Sequence, residues 1–198
     1  MAVSIDDIKK LKELTGVGLT DAKKALVEAD GDFDKALEEM RKKGLTKAEK
    51  KADREALEGV IDSYVHGGRI GVLVEVNCET DFVARTDGFK EFAHMIALQV
   101  ASMSPVYVSE ADIPAEEVER VREEAKASPA LAGKPADMLD KIIDGQVKKH
   151  FADKVLLNQS YIMDDSKTVE QFLKETIAQT GENIVIRRFK RIELGVND

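Results

Sequence analysis

The chain has one cysteine, no tryptophan, 4 prolines and no excess of positive charge. A lone thiol, Cys78, can form neither an internal disulfide nor a cysteine-based zinc site, and this points to a reducing compartment. The longest apolar stretches fall well short of the ~20 residues of a membrane helix. Met1-Ala2-Val3-Ser4-Ile5-Asp6-Asp7 lacks the basic patch and apolar run of a signal peptide. A soluble, cytoplasmic protein is therefore expected, with no membrane partner. With 30 Lys and Arg against 38 Asp and Glu, the net charge is −8 and the isoelectric point about 5.1. That balance argues against nucleic acid as the main partner, although it leaves room for a local basic stripe. What is present is 43% hydrophobic and 34% charged residues in 198, enough for a packed core under a solvated surface.

The first forty-odd residues read as three short helices. Ser4 caps the first, on which Ile5, Ile8 and Leu11 recur at helical spacing. Thr15-Gly16-Val17-Gly18-Leu19 forms a tight loop. Thr20 then caps a second helix with Ala22, Ala25, Leu26 and Ala29 inward, ended by Gly31. Asp32 starts a third, lined by Phe33, Ala36, Leu37 and Met40 and ended by Gly44. Residues 41–54 then carry Arg41, Lys42, Lys43, Lys47, Lys50, Lys51 and Arg54 against only Glu49 and Asp53. They read as a solvated helical linker, the alternative being a basic stripe against an acidic partner or RNA.

From Gly59 the apolar period becomes two. Val60–Val65 leads through His66-Gly67-Gly68-Arg69 into a strand whose Ile70, Val72, Val74 and Val76 share the core face. A helix follows with Phe89, Phe92, Ile96 and Val100 on one side. A charged helix is expected over 115–127 and another helix over about 136–151, with Pro129 and Pro135 bracketing a loop between them. A last helix spans 168–180 and is capped by Gly181. Asn183 to Leu194 reads as a final strand, bulged near Arg187-Arg188 because Phe189 breaks the alternation of Ile184 and Ile186. The expected fold class is α+β, a small antiparallel sheet packed with helices.

No catalytic constellation emerges. His66, His94 and His150 are far apart and show no metal-ligand spacing. Cys78, at a strand end, reads as a small buried hydrophobe. Gly16-Val17-Gly18 follows no strand and precedes no Gly-Lys-Ser/Thr, and Gly133-Lys134-Pro135 lacks an amide that a phosphate would need. One segment stands out. Thr80 can cap a helix beginning at Asp81 and Phe82, which places an acid and a large aromatic at a strand-to-helix corner. Spacing alone leaves Phe82 as either an anchor of helix to sheet or an outward-pointing tip, and leans to the anchor.

Four segments, in order along nearly the whole chain, resemble the elongation factor Ts family. They are Val17-Gly18-Leu19-Thr20-Asp21-Ala22-Lys23-Lys24-Ala25-Leu26, Cys78-Glu79-Thr80-Asp81-Phe82-Val83-Ala84, Asp164-Asp165-Ser166-Lys167-Thr168-Val169 and Gly181-Glu182-Asn183-Ile184-Val185-Ile186-Arg187-Arg188-Phe189. The resemblance implies a three-helix ubiquitin-associated-like domain over 1–44, a basic linker over 45–55 and an α+β core of the dimerisation type over 56–198. It implies a non-catalytic translation elongation factor without cofactor or bound metal. Such a guanine-nucleotide exchange factor would bind elongation factor Tu·GDP, displace Mg²⁺ and promote GDP release so that GTP can bind. Thr80, Asp81, Phe82 and Val83 would intrude near the magnesium site of that GTPase, with Val17, Gly18 and Leu19 as a further contact. Longer family members carry two core-like halves and this chain has room for one, so a homodimer is expected, with Asn183–Leu194 as a candidate interface. The alternatives are an adaptor that tethers partners through Val17-Gly18-Leu19, an enzyme of unknown type, and a ribosome or tRNA binder using residues 41–54.

Overall fold

The structure, a computed structural model, describes residues 3–15, 17–128 and 136–196. Three helices open the chain: α1 (Ile5–Thr15), α2 (Leu19–Glu28) and α3 (Phe33–Glu49). They close on Leu11, Ala22, Ala25, Leu26, Ala29, Ala36 and Met40. Ile5 does not join them and is 71% exposed, while Val3 and Ile8 on either side of it pack against that cluster. Ser4 Oγ accepts from the Asp6 amide, and Asp32 Oδ1 accepts from the Lys35 amide, so both caps are as expected. The cap of α2 is Gly18, not Thr20. At its other end Gly31 N–H donates to the Leu26 carbonyl and Asp30 N–H to the Val27 carbonyl, the paired bonds that end a helix after a left-handed residue.

Gly44 does not stop α3. A single mid-helix glycine costs only ~1 kcal/mol, and the extension places Ala48, 3% exposed, inside the main core. One helix thus serves two cores.

That main core lies under a three-stranded antiparallel sheet in the order β1 (Glu58–His66), β2 (Ile70–Cys78), β5 (Ile184–Glu193). Gly67 and Gly68 both take positive φ, 54° and 69°, as the tight hairpin turn requires. Val72, Val74, Val76 and Cys78 point inward and are at most 3% exposed. The register of β2 on β5 jumps from Glu75↔Arg188 to Val76↔Ile186, so Arg187 is the extra residue of the expected bulge. Helix α4 (Asp81–Ala84) is one turn long, and α5 (Asp87–Met103) lays Phe89, Phe92, Ile96 and Val100 across the sheet.

Helices α6 (Ala115–Lys126) and α7 (Ala136–Ala152) pair around Val121, Ala125, Ile143, Val147 and Phe151. The expected loop between Pro129 and Pro135 lies outside the described residues. A small hairpin, β3 (Ser160–Tyr161) with β4 (Asp164–Thr168), was not foreseen. Its polar Asp-Asp-Ser-Lys-Thr carries no apolar alternation to read. Helix α8 (Val169–Thr180) follows, with a capping box between Thr168 and Gln171 and with Gly181 at φ 78° beyond its end. The fold is α+β.

Candidate functional site

The corner after β2 is assembled from both ends of the core. Thr80 is the N-cap of α4, and its Oγ1 accepts from the Val83 amide at 3.3 Å. The hydroxyl proton goes elsewhere: Thr80 Oγ1 donates to Glu182 Oε1 at 2.7 Å, while Thr80 N–H donates to Glu182 Oε2 at 3.0 Å. Helical rotation from this cap turns Val83 and Ala84 into the main core and Phe82 out of it. Phe82 is 78% exposed, so it is not an anchor between helix and sheet. Val83 takes that part. Asp81 Oδ2 meets the Arg85 guanidinium at 2.7 Å, an exposed pair of the kind that contributes ~0–1 kcal/mol and is readily exchanged for another partner.

At the bundle, Val17 is half-buried against the small core, Gly18 is exposed and Leu19 is 52% exposed. The three residues sit at the mouth of the α1–α2 loop, with Leu19 opening α2.

The segment 181–183 fastens the corner to the rest of the chain, and residue spacing did not reveal it. Asn183 is 3% exposed. Its side-chain amide donates to the carbonyls of Ala52, 3.3 Å away, and Arg54, 2.7 Å away. Its own N–H donates to Glu79 Oε1 at 2.6 Å, an oxygen that Arg54 also approaches at 3.5 Å. Lys51 Nζ donates to the Gly181 carbonyl. Contacts spanning more than a hundred residues leave no periodic trace; the one available signal was that Gly181-Glu182-Asn183 opens one of the family-like segments.

A profile of the family described as "Elongation factor TS" matches residues 6–176. The chain belongs to the elongation factor Ts family. It is 53% identical over 194 residues to elongation factor Ts of Thermoanaerobacter sp. (strain X514), covering 98% of this chain and 95% of that protein. With the Thermotoga maritima protein of the same name the figures are 53% over 196 residues, 98% of each chain. With that of Coprothermobacter proteolyticus they are 51% over 196 residues, 98% of this chain and all of the other. The family is one of translation elongation factors, and this member aligns with these relatives over almost its whole length.

Cys78 and the three histidines of this chain all have local partners. Burial, with the Glu182 charge as a second cause, pushes the Cys78 thiol up to about 11, and it donates to the Thr80 carbonyl. His66 Nδ1 lies 3.0 Å from the Tyr64 hydroxyl, His94 Nδ1 2.9 Å from Asp62 Oδ2 and His150 Nε2 2.9 Å from Lys154 Nζ. Among the described residues no group of three or more His, Cys, Asp or Glu could hold a metal ion, and no helix is long and apolar enough to cross a membrane. In the basic stretch, Lys42 pairs with Glu38, Lys51 with Gly181 and Arg54 with Glu79. Those three cations serve internal contacts.

Proposed function

We propose that the protein is a non-catalytic guanine-nucleotide exchange factor that binds elongation factor Tu·GDP, displaces its Mg²⁺ and promotes GDP release so that GTP can bind. The observation that carries this reading is Phe82: a large aromatic, 78% exposed, on a single helical turn whose neighbours Thr80 and Val83 are both tied down. A fixed apolar tip suits a wedge, since little ordering entropy is lost when it enters a partner. Asp81 needs only to leave Arg85 to reach amides exposed in the GTPase.

The magnitudes require more than the tip. Weakening GDP by 10⁴-fold takes about 5.5 kcal/mol of differential binding, and by linkage GDP weakens the factor equally. Burying one Phe supplies roughly 1.5–3 kcal/mol. The balance comes from a broader interface, to which the Val17-Gly18-Leu19 loop contributes. The deciding measurement is fluorescent-GDP release from elongation factor Tu. Wild-type protein should accelerate it, and Phe82→Ala should slow the accelerated rate at least ~tenfold, as for an interface hot spot, while melting stays unchanged. Equal rates for the two, or no acceleration at all, refute the reading.

The homodimer is retained as a second proposal because a specific face suits it. On the outer side of the sheet Val65, Leu73 and Ile192 are 54–67% exposed on three adjacent strands, and β5 is an edge strand. A second copy covering that end of the sheet would double the mass. Light scattering near 22 kDa refutes it.

A further inference from the structure

Glu182 stands outside the resemblance-derived site, yet it accepts both of the hydrogen bonds that Thr80 donates. Its carboxylate grips the Thr80 N–H and hydroxyl in a two-point hold, at 3.0 and 2.7 Å. Because the hydroxyl proton is committed to Glu182, a lone pair of the same oxygen faces the Val83 amide. The cap, and with it the direction in which Phe82 projects, is thereby fixed. The backbone that carries Glu182 is held on both sides. Gly181 ends α8 in the left-handed conformation and takes the Lys51 ammonium on its carbonyl. Asn183 is buried and bonded to Ala52, Arg54 and Glu79. Residues 51–54 directly follow α3, the helix shared with the N-terminal bundle.

We propose that Glu182 is a positioning residue for nucleotide exchange: it sets the pose of the Phe82 turn and references it, through Gly181 and Asn183, to the segment that carries the bundle. This rests on the exchange-factor reading of Phe82. Glu182 acts through Thr80 and need not touch the GTPase, so its loss affects how well the bound factor expels GDP more than how tightly the factor binds.

The test is Glu182→Gln, whose amide oxygen can still accept from the Thr80 N–H while its NH₂ faces the Thr80 hydroxyl oxygen, so that the hydroxyl proton loses its acceptor and the remaining bond to the N–H loses its charge assistance. At saturating factor the rate of fluorescent-GDP release should fall about tenfold, the scale of one charge-assisted hydrogen bond, while affinity for nucleotide-free elongation factor Tu changes less than about twofold. In a Phe82→Ala background the same substitution should add nothing, because both changes remove one device. Independently of any partner, amide hydrogen exchange at Thr80 should accelerate in Glu182→Gln while amides of β2 and α5 keep their protection. An unchanged release rate, an effect that simply adds to that of Phe82→Ala, or an unchanged Thr80 amide overturns the positioning role. If Phe82→Ala itself leaves release unaffected, the underlying reading falls; if only Glu182→Gln does, that reading stands and this proposal alone fails. Should Glu182→Gln not fold, Glu182→Asp, one methylene shorter, is measured against the same outcomes.

Discussion

The N-terminal bundle and the α+β core are closed by different kinds of residue. Ala22, Ala25, Ala29 and Ala36 are four of the seven described residues in the buried cluster of the bundle, beside Leu11, Leu26 and Met40. The core buries Phe89, Phe92, Ile96 and Leu156 together with a row of β-strand valines. Alanine lets short helices approach closely but removes little apolar area from water, and stabilisation follows area at roughly 25 cal/mol per Å². The bundle is therefore the weaker unit, the part expected to open first. What holds it in place is the far end of α3, where Ala48 enters the main core, and the polar contacts of residues 51–54 with 181–183.

The sharpest way to break that contrast is to truncate one large residue on each side. Phe92 is 2% exposed, its ring centroid 5.0 Å from that of Phe172. Phe92→Ala should cost ~3–5 kcal/mol and lower the main thermal transition. Leu26→Ala should cost ~2–5 kcal/mol, which a small bundle cannot withstand. Amides of α1 and α2 should then exchange as in an open chain while those of β2 and α5 stay protected. If Leu26→Ala deprotects the sheet as well, the two regions are one cooperative unit and the contrast is wrong.

Those two regions were also unequally legible in the sequence. Period-two runs and the Gly67-Gly68 pair placed β1, β2 and their turn, and the parity break at Phe189 placed the bulge near Arg187-Arg188, because each is a local pattern with a steric cause. The inward faces of α2 and α5 followed from helical spacing in the same way. Gly44 misled: a helix end inferred from one glycine was overridden by the burial of Ala48, a tertiary effect. Thr20 misled too, since Gly18 caps the helix two residues earlier. The polar hairpin β3–β4 left no signal at all. At the candidate site, the cap at Thr80 was readable, whereas the outward aim of Phe82 was not, because spacing cannot distinguish an anchor from a tip. The Glu182 hold on Thr80 depends on a 102-residue separation and needed the fold.

A smaller effect is expected from removing the bundle outright. Without residues 1–44 the chain keeps Ala48, Lys51 and Arg54, and so the contacts that stabilise the corner. The truncated protein should melt close to the main transition of the full chain. On the proposed function its affinity for elongation factor Tu should fall at least ~tenfold, because the Val17-Gly18-Leu19 surface is gone. Titration calorimetry on both forms decides it: an unchanged dissociation constant assigns the bundle to some other partner.

The finest probe of the contrast is titration, since the core buries a thiol at the base of the corner. Cys78 is fully buried at the end of β2 and its pKa is raised from 9.0 to about 11, first by burial and then by the Glu182 charge. An unfolded chain releases this proton near pH 9 while the folded one retains it, so the unfolded state binds fewer protons across that window. The contribution to stability is fully present below pH 9 and is lost as pH rises toward 11, on the order of 1 kcal/mol by pH 10. Lysines and tyrosines titrate in the same range, so the comparison that isolates the thiol is the slope of unfolding free energy against pH for wild type and Cys78→Ala. Wild type should fall more steeply between pH 9 and 10, although the alanine variant starts lower from lost packing. Glu182→Gln removes the second cause of the shift and should flatten the wild-type slope in part. Parallel slopes for wild type and Cys78→Ala would show the thiol ionising freely in the folded protein, and the base of the corner would then be wetter than its packing shows.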